Sequence, residues 1–201
     1  MAGVSINEGD EAKLWEMGVK DSKLLTPKKR EDLFEKIKDS VENYEIVMLM
    51  PDVIDAALNS DESNLNWLEA DTSIIIIKKL KPNKGIIDSP SNNVKAYKSY
   101  LIERLKEMQK LPELIVEHKA DVNHAPCAAA SILAKVTRDR EIEKLKKSVK
   151  IDFGSGYMTD PKTVEFLERY YNKHPDLFRK SWKPYQKVVG KKLQKGMSEW
   201  L

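Results

Sequence analysis

Short apolar runs alternate with amphipathic helical stretches along most of this sequence, and no other feature constrains the fold as much. "MAGVSI", "YEIVMLM" (Tyr44 to Met50), "KGIID" (Lys84 to Asp88) and "PELIVEH" (Pro112 to His118) have the length and composition of strands. Between them, Thr26 followed by Pro27 is a helix start, a capping hydroxyl before a proline whose missing N–H costs nothing there. Leu33, Phe34, Ile37 and Val41 give that helix one apolar face. Asp52 can start a short helix through Leu58, and Asn64 a longer one through Leu80. "SIIIIKK" alone reads as strand, but the periodicity upstream of it, through Leu65 and Leu68, favours helix. Further helices are expected from Val94 to Lys110 and over about 124–147, 161–173 and 184–195. Strands that alternate with helices fold as α/β with a layered sheet.

The 201 residues fit one domain, or one with an appendage. The reading divides them at 150, with a sheet-bearing domain over 1–150 and a helical region over 151–201. Basic residues (35) nearly balance acidic ones (32), so any affinity for nucleic acid has to come from local clustering. Cys127 is the sole cysteine, which excludes an internal disulfide and a cysteine-based zinc site and suits a reducing compartment. No apolar run approaches the ~18 residues of a membrane span, and "MAGVSINEGDEAKLW" lacks the blocks of a signal peptide. A soluble, cytoplasmic protein is expected.

Two expected strands end at or lead to an acid: "GIID" closes on Asp88, and "LIVEHKAD" runs into Asp121. Functional groups gather where the strands of an open α/β sheet give way to loops. Two carboxylates brought together there repel unless a cation lies between them, and oxygen ligands suit Mg²⁺ or Mn²⁺. Each acid alone is more often a turn former or helix cap than a ligand. The run Ala128-Ala129-Ala130-Ser131 would let a nucleic-acid backbone approach, with Ser131 and helix-start amides on a phosphate, or would simply pack a helix on a sheet. Lys20, Ser22 and Lys23 cluster around Asp21 and could meet phosphates, or be a solvated helix start. In "DFGSGYMTDPKT" a glycine-rich turn could present Tyr157 for stacking on a sugar or base, or fold it into the core.

Taken together, "GVKDSKLLTPKKRE", "IIDSP", "EHKADVNHAPCAAASILAKVTRDREI" and "DFGSGYMTDPKTVEFL", in this order, closely resemble ribonuclease HII in its archaeal form. The resemblance spans Met1 to about Val189. It implies a ribonuclease-H-like mixed five-stranded sheet flanked by helices, with a C-terminal helical extension. It implies a monomeric endonuclease that cuts the RNA strand of RNA–DNA hybrids, and ribonucleotides embedded in DNA, by two-metal hydrolysis with Mg²⁺ or Mn²⁺. Asp88 and Asp121 match the third and fourth of the family's four acids, with Asp139 as a possible auxiliary. Asp21, Ser22 and Lys23 with neighbouring Lys20, Ala130 with Ser131, and Tyr157 match positions that hold substrate. The chain departs from the family at its start: the first central strand, with its Asp, Glu and Gly-Arg-Gly loop, has no counterpart, and Glu8, Asp10 and Glu11 are not assigned to catalysis. On that ground the 201 residues as they stand are expected to fold poorly and be inactive; the alternative function is an inactive hybrid-binding protein.

Overall fold

The computed structural model describes the backbone of residues 1–198 and the side chains of residues 1–191. Strands and helices alternate as the sequence predicts. β1 (Ala2–Ser5) pairs antiparallel with β2 (Asn43–Ile46), Gly3 opposite Glu45. β3 (Lys84–Asp88) pairs parallel with β4 (Glu113–Glu117), Asp88 beside Glu117. The sheet implied by the resemblance is therefore present as two two-stranded pieces, with no strand joining β1 to β3 among the described residues.

The chain forms two compact units. The first holds Met1–Met48 and Asn66–Arg138 and contains both strand pairs. One of its cores lies under β1 and β2, where Leu33 and Ile37 of α2 (Pro27–Ser40) meet Ala129, Ile132 and Leu133 of α7 (Ala125–Val149). The other joins Ala70, Ile74 and Ile77 of α4 (Leu65–Leu80) to Tyr97 and Leu101 of α5 (Val94–Leu105) and Leu114 of β4. The isoleucine run is helical: Ile74, Ile76 and Ile77 are buried, while Ile75 is 46% exposed. β1 lies hard against α4, since a side-chain carbon at Gly3 would come within 2.5 Å of Ile76 Cγ2.

The second unit comprises Leu49–Leu65 and the chain from Asp139. It contains α3 (Pro51–Leu58), and α8 (Pro161–Tyr170) and α9 (Lys183–Ser198) pack around Phe153, Phe166 and Phe178. The Phe153 and Phe166 rings stack with centroids 4.8 Å apart. Asp55 of α3 fixes the entry to α9, accepting from the Lys180 and Ser181 amides at 2.6 and 3.0 Å.

Two elements are shorter than the sequence predicts. β2 stops at Ile46 rather than Met50, because its neighbour among the described residues is the four-residue β1. α5 stops at Leu105 rather than Lys110, and partly buried Met108 packs on the same core from beyond its end. A short helix, α1 (Glu11–Glu16), lies in the polar connection after β1, and one element is additional: α6 (Ala120–Asn123) separates β4 from α7.

Candidate active site

The ends of β3 and β4 are locked to each other before the acids appear. The ladder runs one residue past β3, with the Ser89 amide donating to Glu117 O at 2.8 Å, and His118 Nδ1 lies 3.1 Å from Ser89 O. Beyond β4 the chain reverses through Lys119, which has φ 61°. A left-handed conformation is unfavourable for a residue with a Cβ and persists where its surroundings impose it. Here it starts α6 and turns the Ala120 amide onto Asp88 Oδ1 at 3.3 Å. Asp121 follows at once, in the first turn of α6. One strained residue and one hydrogen bond thus bring together two carboxylates that are 33 positions apart. Asp88 is exposed, whereas Asp121 is only 8% exposed.

Burial pushes the Asp121 carboxyl above its usual range, and the charges of Asp88 and Asp21 push it further; Lys23 opposes them. The same field reaches Cys127, whose thiol is raised to about 12, first by burial and then by Asp88, Asp121 and Glu11. That thiol donates to Ile86 O at 3.4 Å and is inert as a nucleophile. No ion pair to Asp88 or Asp121 forms among the described residues.

The Lys20–Lys23 segment arrives at the same place. Asp21 caps a tight turn over Ser22–Leu24 by accepting from the Lys23 amide at 2.9 Å. Ser22 is buried, and its hydroxyl lies 2.9 Å from the hydroxyl of Ser131 on α7, 109 positions away. Buried Arg30 braces the turn from below, donating from Nη1 to Ser22 O at 3.0 Å and Leu25 O at 2.7 Å. Lys20 and Lys23 are exposed. Ala130 and Ser131 line one cleft with Asp88 and Asp121, a space of about 900 Å³. Lys20 instead lines a separate, shallower hollow of about 530 Å³ with Trp15 and Lys29. The first amide of α7 does not face that cleft free: Ala125 donates to Glu11 Oε1 at 2.8 Å.

Tyr157 and Asp139 belong to the second unit. Gly154 and Gly156 take φ 74° and 77°, and a side-chain carbon at Gly154 would come within 2.4 Å of the Asp160 carboxylate. The turn they build leaves Tyr157 45% exposed, the outward alternative of the two weighed for it. Asp139 is half-buried on α7.

Two residues around this site, Glu69 and Arg30, were not singled out by sequence, and Glu11 was weighed there but not assigned to catalysis. Glu11 caps α7 and lines the cleft. Glu69, mid-helix on α4, has its carboxyl raised by burial, with Asp88 adding to the shift. Arg30, one of several cations in "TPKKRE", turns inward. Only Arg30 had a signal, its helical spacing from buried Leu33, Phe34 and Ile37.

Among the described residues no group of three or more His, Cys, Asp or Glu is arranged to hold a metal. Asp88 and Asp121 nevertheless offer adjacent hard oxygen donors with no cation of their own, a donor set that fits a divalent ion completing its shell with water and phosphate.

The family model described as Ribonuclease HII matches residues 1–185. A ribonuclease HII of Thermococcus sibiricus is 44% identical over 200 residues, covering 97% of this chain and 85% of that protein. The crystal structure of ribonuclease H2 from Pyrococcus horikoshii OT3 superposes with a TM-score of 0.80 at 39% identity, covering 92% of this chain and 87% of that one. The Archaeoglobus fulgidus RNase HII, solved in complex with PCNA, superposes with a TM-score of 0.81 at 35% identity, covering 93% and 87%.

Proposed function

The chain belongs to the ribonuclease HII family, and from that premise we propose that Asp88 and Asp121 are the carboxylates around which its endonuclease chemistry is organised. The substrate is the RNA strand of an RNA–DNA hybrid, or a ribonucleotide embedded in DNA. The observation that carries the reading is the contact of the Ala120 amide with Asp88, beside which Asp121 lies buried and without an ion pair. Asp88 and Asp121 are the residues that would hold Mg²⁺ or Mn²⁺. Such an ion, when bound, lowers the pKa of a coordinated water and neutralises charge on the scissile phosphate.

The chain's own residues supply the rest. Lys23 and the hydroxyls of Ser22 and Ser131 orient the phosphate beside the two acids, and Lys20 holds a flanking phosphate by charge. Small Ala130 leaves room for the backbone of the bound strand. Tyr157 offers an exposed ring for a sugar or base, and Asp139 is an auxiliary acid. The Asp88 and Asp121 charges repel a bare phosphodiester, so binding in a productive pose requires their neutralisation.

The test is cleavage of a duplex carrying a single ribonucleotide, with Mg²⁺ or Mn²⁺ added. Asp88→Asn and Asp121→Asn are each expected to slow cleavage by orders of magnitude while duplex binding persists. Undiminished cleavage by either variant removes that residue from the reading.

The Archaeoglobus fulgidus protein was solved with PCNA, and we extend that partner to this chain as a proposal. Gel filtration of the two proteins mixed should give a common peak; separate elution contradicts it. A monomer acting in the cytoplasm is the setting proposed for the free enzyme. Among the described residues no helix is long and apolar enough to cross a membrane.

A further inference from the structure

The shallow hollow beside Lys20 lies within the first unit, between the end of α1 and the start of α2. α1 closes on glycine: the Gly18 amide donates to Trp15 O at 2.9 Å and the Val19 amide to Leu14 O at 3.1 Å. Gly18 takes φ 88°, a left-handed cap that a Cβ disfavours. The two residues that such a cap brings together, Leu14 and Val19, are both sunk in the core, 1% and 2% exposed. With Leu14 held inward, its neighbour Trp15 is left 38% exposed in the hollow. The turn over Ser22–Leu24 does the same to a leucine. Ser22 and Leu25 are buried, and Leu24 between them is 70% exposed.

An indole and a leucine therefore border the hollow, and its charges are those of Lys20 and Lys29, both exposed. Among the described residues no acid lines it. Lys29 passes close to Gly18, where a Cβ would lie 3.9 Å from its Cε. Neither lysine forms an ion pair among the described residues. Two other tryptophans are used differently: Trp67 stacks on Tyr100 at 4.3 Å, and Trp182 packs on the core of the second unit. An aromatic floor with a cationic rim and no carboxylate suits a chain of nucleotides, each with a π-face and a phosphate. Continuity with the cleft favours nucleic acid over an acidic peptide. One turn serves both places: Ser22 touches Ser131 of the cleft, while Leu24 and Leu25 line the hollow. The faces of a paired base are covered by its neighbours in the stack, so it is an unpaired base that can offer one to Trp15.

We propose that the hollow binds an unpaired nucleotide flanking the duplex, its base on Trp15 and Leu24 and its phosphates against Lys20 and Lys29. The inference rests on the reading of the two acids as the site of cleavage, from which the bound strand runs over the turn into the hollow. It adds what the cleft alone does not supply, a preference for duplexes that continue into a single strand near the cut. Stacking on an aromatic ring tolerates every base, so the preference is for structure and not for sequence.

The experiment compares a blunt duplex carrying one ribonucleotide with the same duplex extended by unpaired thymidines on one side or the other, and by an abasic overhang. Affinity is read by fluorescence anisotropy without added metal, and cleavage separately with Mg²⁺. An overhang on one side is expected to raise affinity about tenfold, within the range of one stacked base. The abasic overhang is expected to keep only a small part of that gain. Trp15→Ala and Lys29→Ala should each lose most of the gain while binding and cutting the blunt duplex as the parent chain does. Lys29→Ala, a surface change, decides the matter should Trp15→Ala fail to cut the blunt duplex. No gain in the parent chain, an equal gain from either side or from the abasic overhang, or a gain that survives these substitutions overturns the proposal. So does displacement of the overhang by hexaglutamate at the same ionic strength, which would make the hollow a site for acidic peptides. In all these cases blunt-duplex cleavage persists; a parent chain that neither binds nor cuts that duplex overturns the cleavage reading and this inference together.

Discussion

The turn that carries Tyr157 and the strand end that carries Asp121 treat their carboxylates in opposite ways. In the first, every acid is served. Asp152 meets Lys162 Nζ at 2.5 Å, the Gly154 amide at 3.1 Å and Lys146 Nζ at 3.3 Å, and the Lys162 bond chiefly holds its carboxyl down at about 2. Asp160 accepts from the Ser155 and Lys162 amides at 2.7 and 3.0 Å and is lowered too, the Ser155 amide contributing most. At the strand end, Asp88 has one long amide contact, and Asp121 is buried and raised, with two other carboxylates acting on it. Carboxylates that build a turn are stabilised as anions by donors already in place. At the strand end a buried carboxylate lies beside an exposed one with few donors, an arrangement that a cation from outside would relieve.

Several measurements would sharpen or break that contrast. The largest concerns what the strand end attracts. Changing Lys20 and Lys23 together to Ala should flatten the plot of log duplex affinity against log salt by up to about two units, one per lost phosphate contact. An unchanged slope would make the segment a solvated helix start. The next concerns the served region. Thr163 is buried; its hydroxyl donates to Phe153 O at 2.8 Å and accepts from the Gly156 amide at 3.0 Å. Thr163→Val strands both groups and should destabilise by about 1–3 kcal/mol. At roughly 2–4 °C per kcal/mol in a chain of this size, calorimetry would see the drop. No drop would mean that water replaces the hydroxyl.

The smallest effects have opposite signs. The Asp152 carboxyl is depressed in the folded state, so its contribution is fully present above the ordinary value of 3.8 and is lost as pH falls through about 2. Asp152→Asn should therefore lower Tm at pH 7 and converge with the parent protein toward pH 2. The Asp121 carboxyl is raised, so ionising it opposes folding; that penalty is absent below 3.8 and complete above the folded value. Asp121→Asn should raise Tm at pH 7 without added metal and leave it unchanged near pH 3. Shifts of the same sign in both variants would erase the contrast.

Much of this was legible before any coordinates. The Thr26–Pro27 start appears as drawn, with Thr26 Oγ1 accepting from the Lys29 amide at 3.2 Å, because capping is decided by three consecutive residues. The "KGIID" and "ELIVE" strands were legible because short β-branched runs bounded by polar residues have few alternatives. Asp88, Asp121 and the Ser22 loop were legible as motifs, and the resemblance implied that they share one site, but the contacts that join them were not. Ser22 and Ser131 touch across 109 positions, and nothing local encodes a contact of that range. The left-handed Lys119 was hidden for another reason: lysine has no preference for that conformation, which the joined strand ends impose. The division of the sheet into two two-stranded pieces among the described residues emerges only from the ladders.

The most direct test of the account is a carbon-detected NMR titration of the side-chain carboxyls, with and without Mg²⁺. Asp121 should titrate above 3.8 in the free chain, fall on replacing Asp88 with Asn, and fall again when Mg²⁺ is added to the parent protein, while Asp152 stays near 2 throughout. An Asp121 that titrates at or below 3.8 and ignores both Asp88 and Mg²⁺ would contradict the claim that the strand end is a charged pair built to be neutralised from outside.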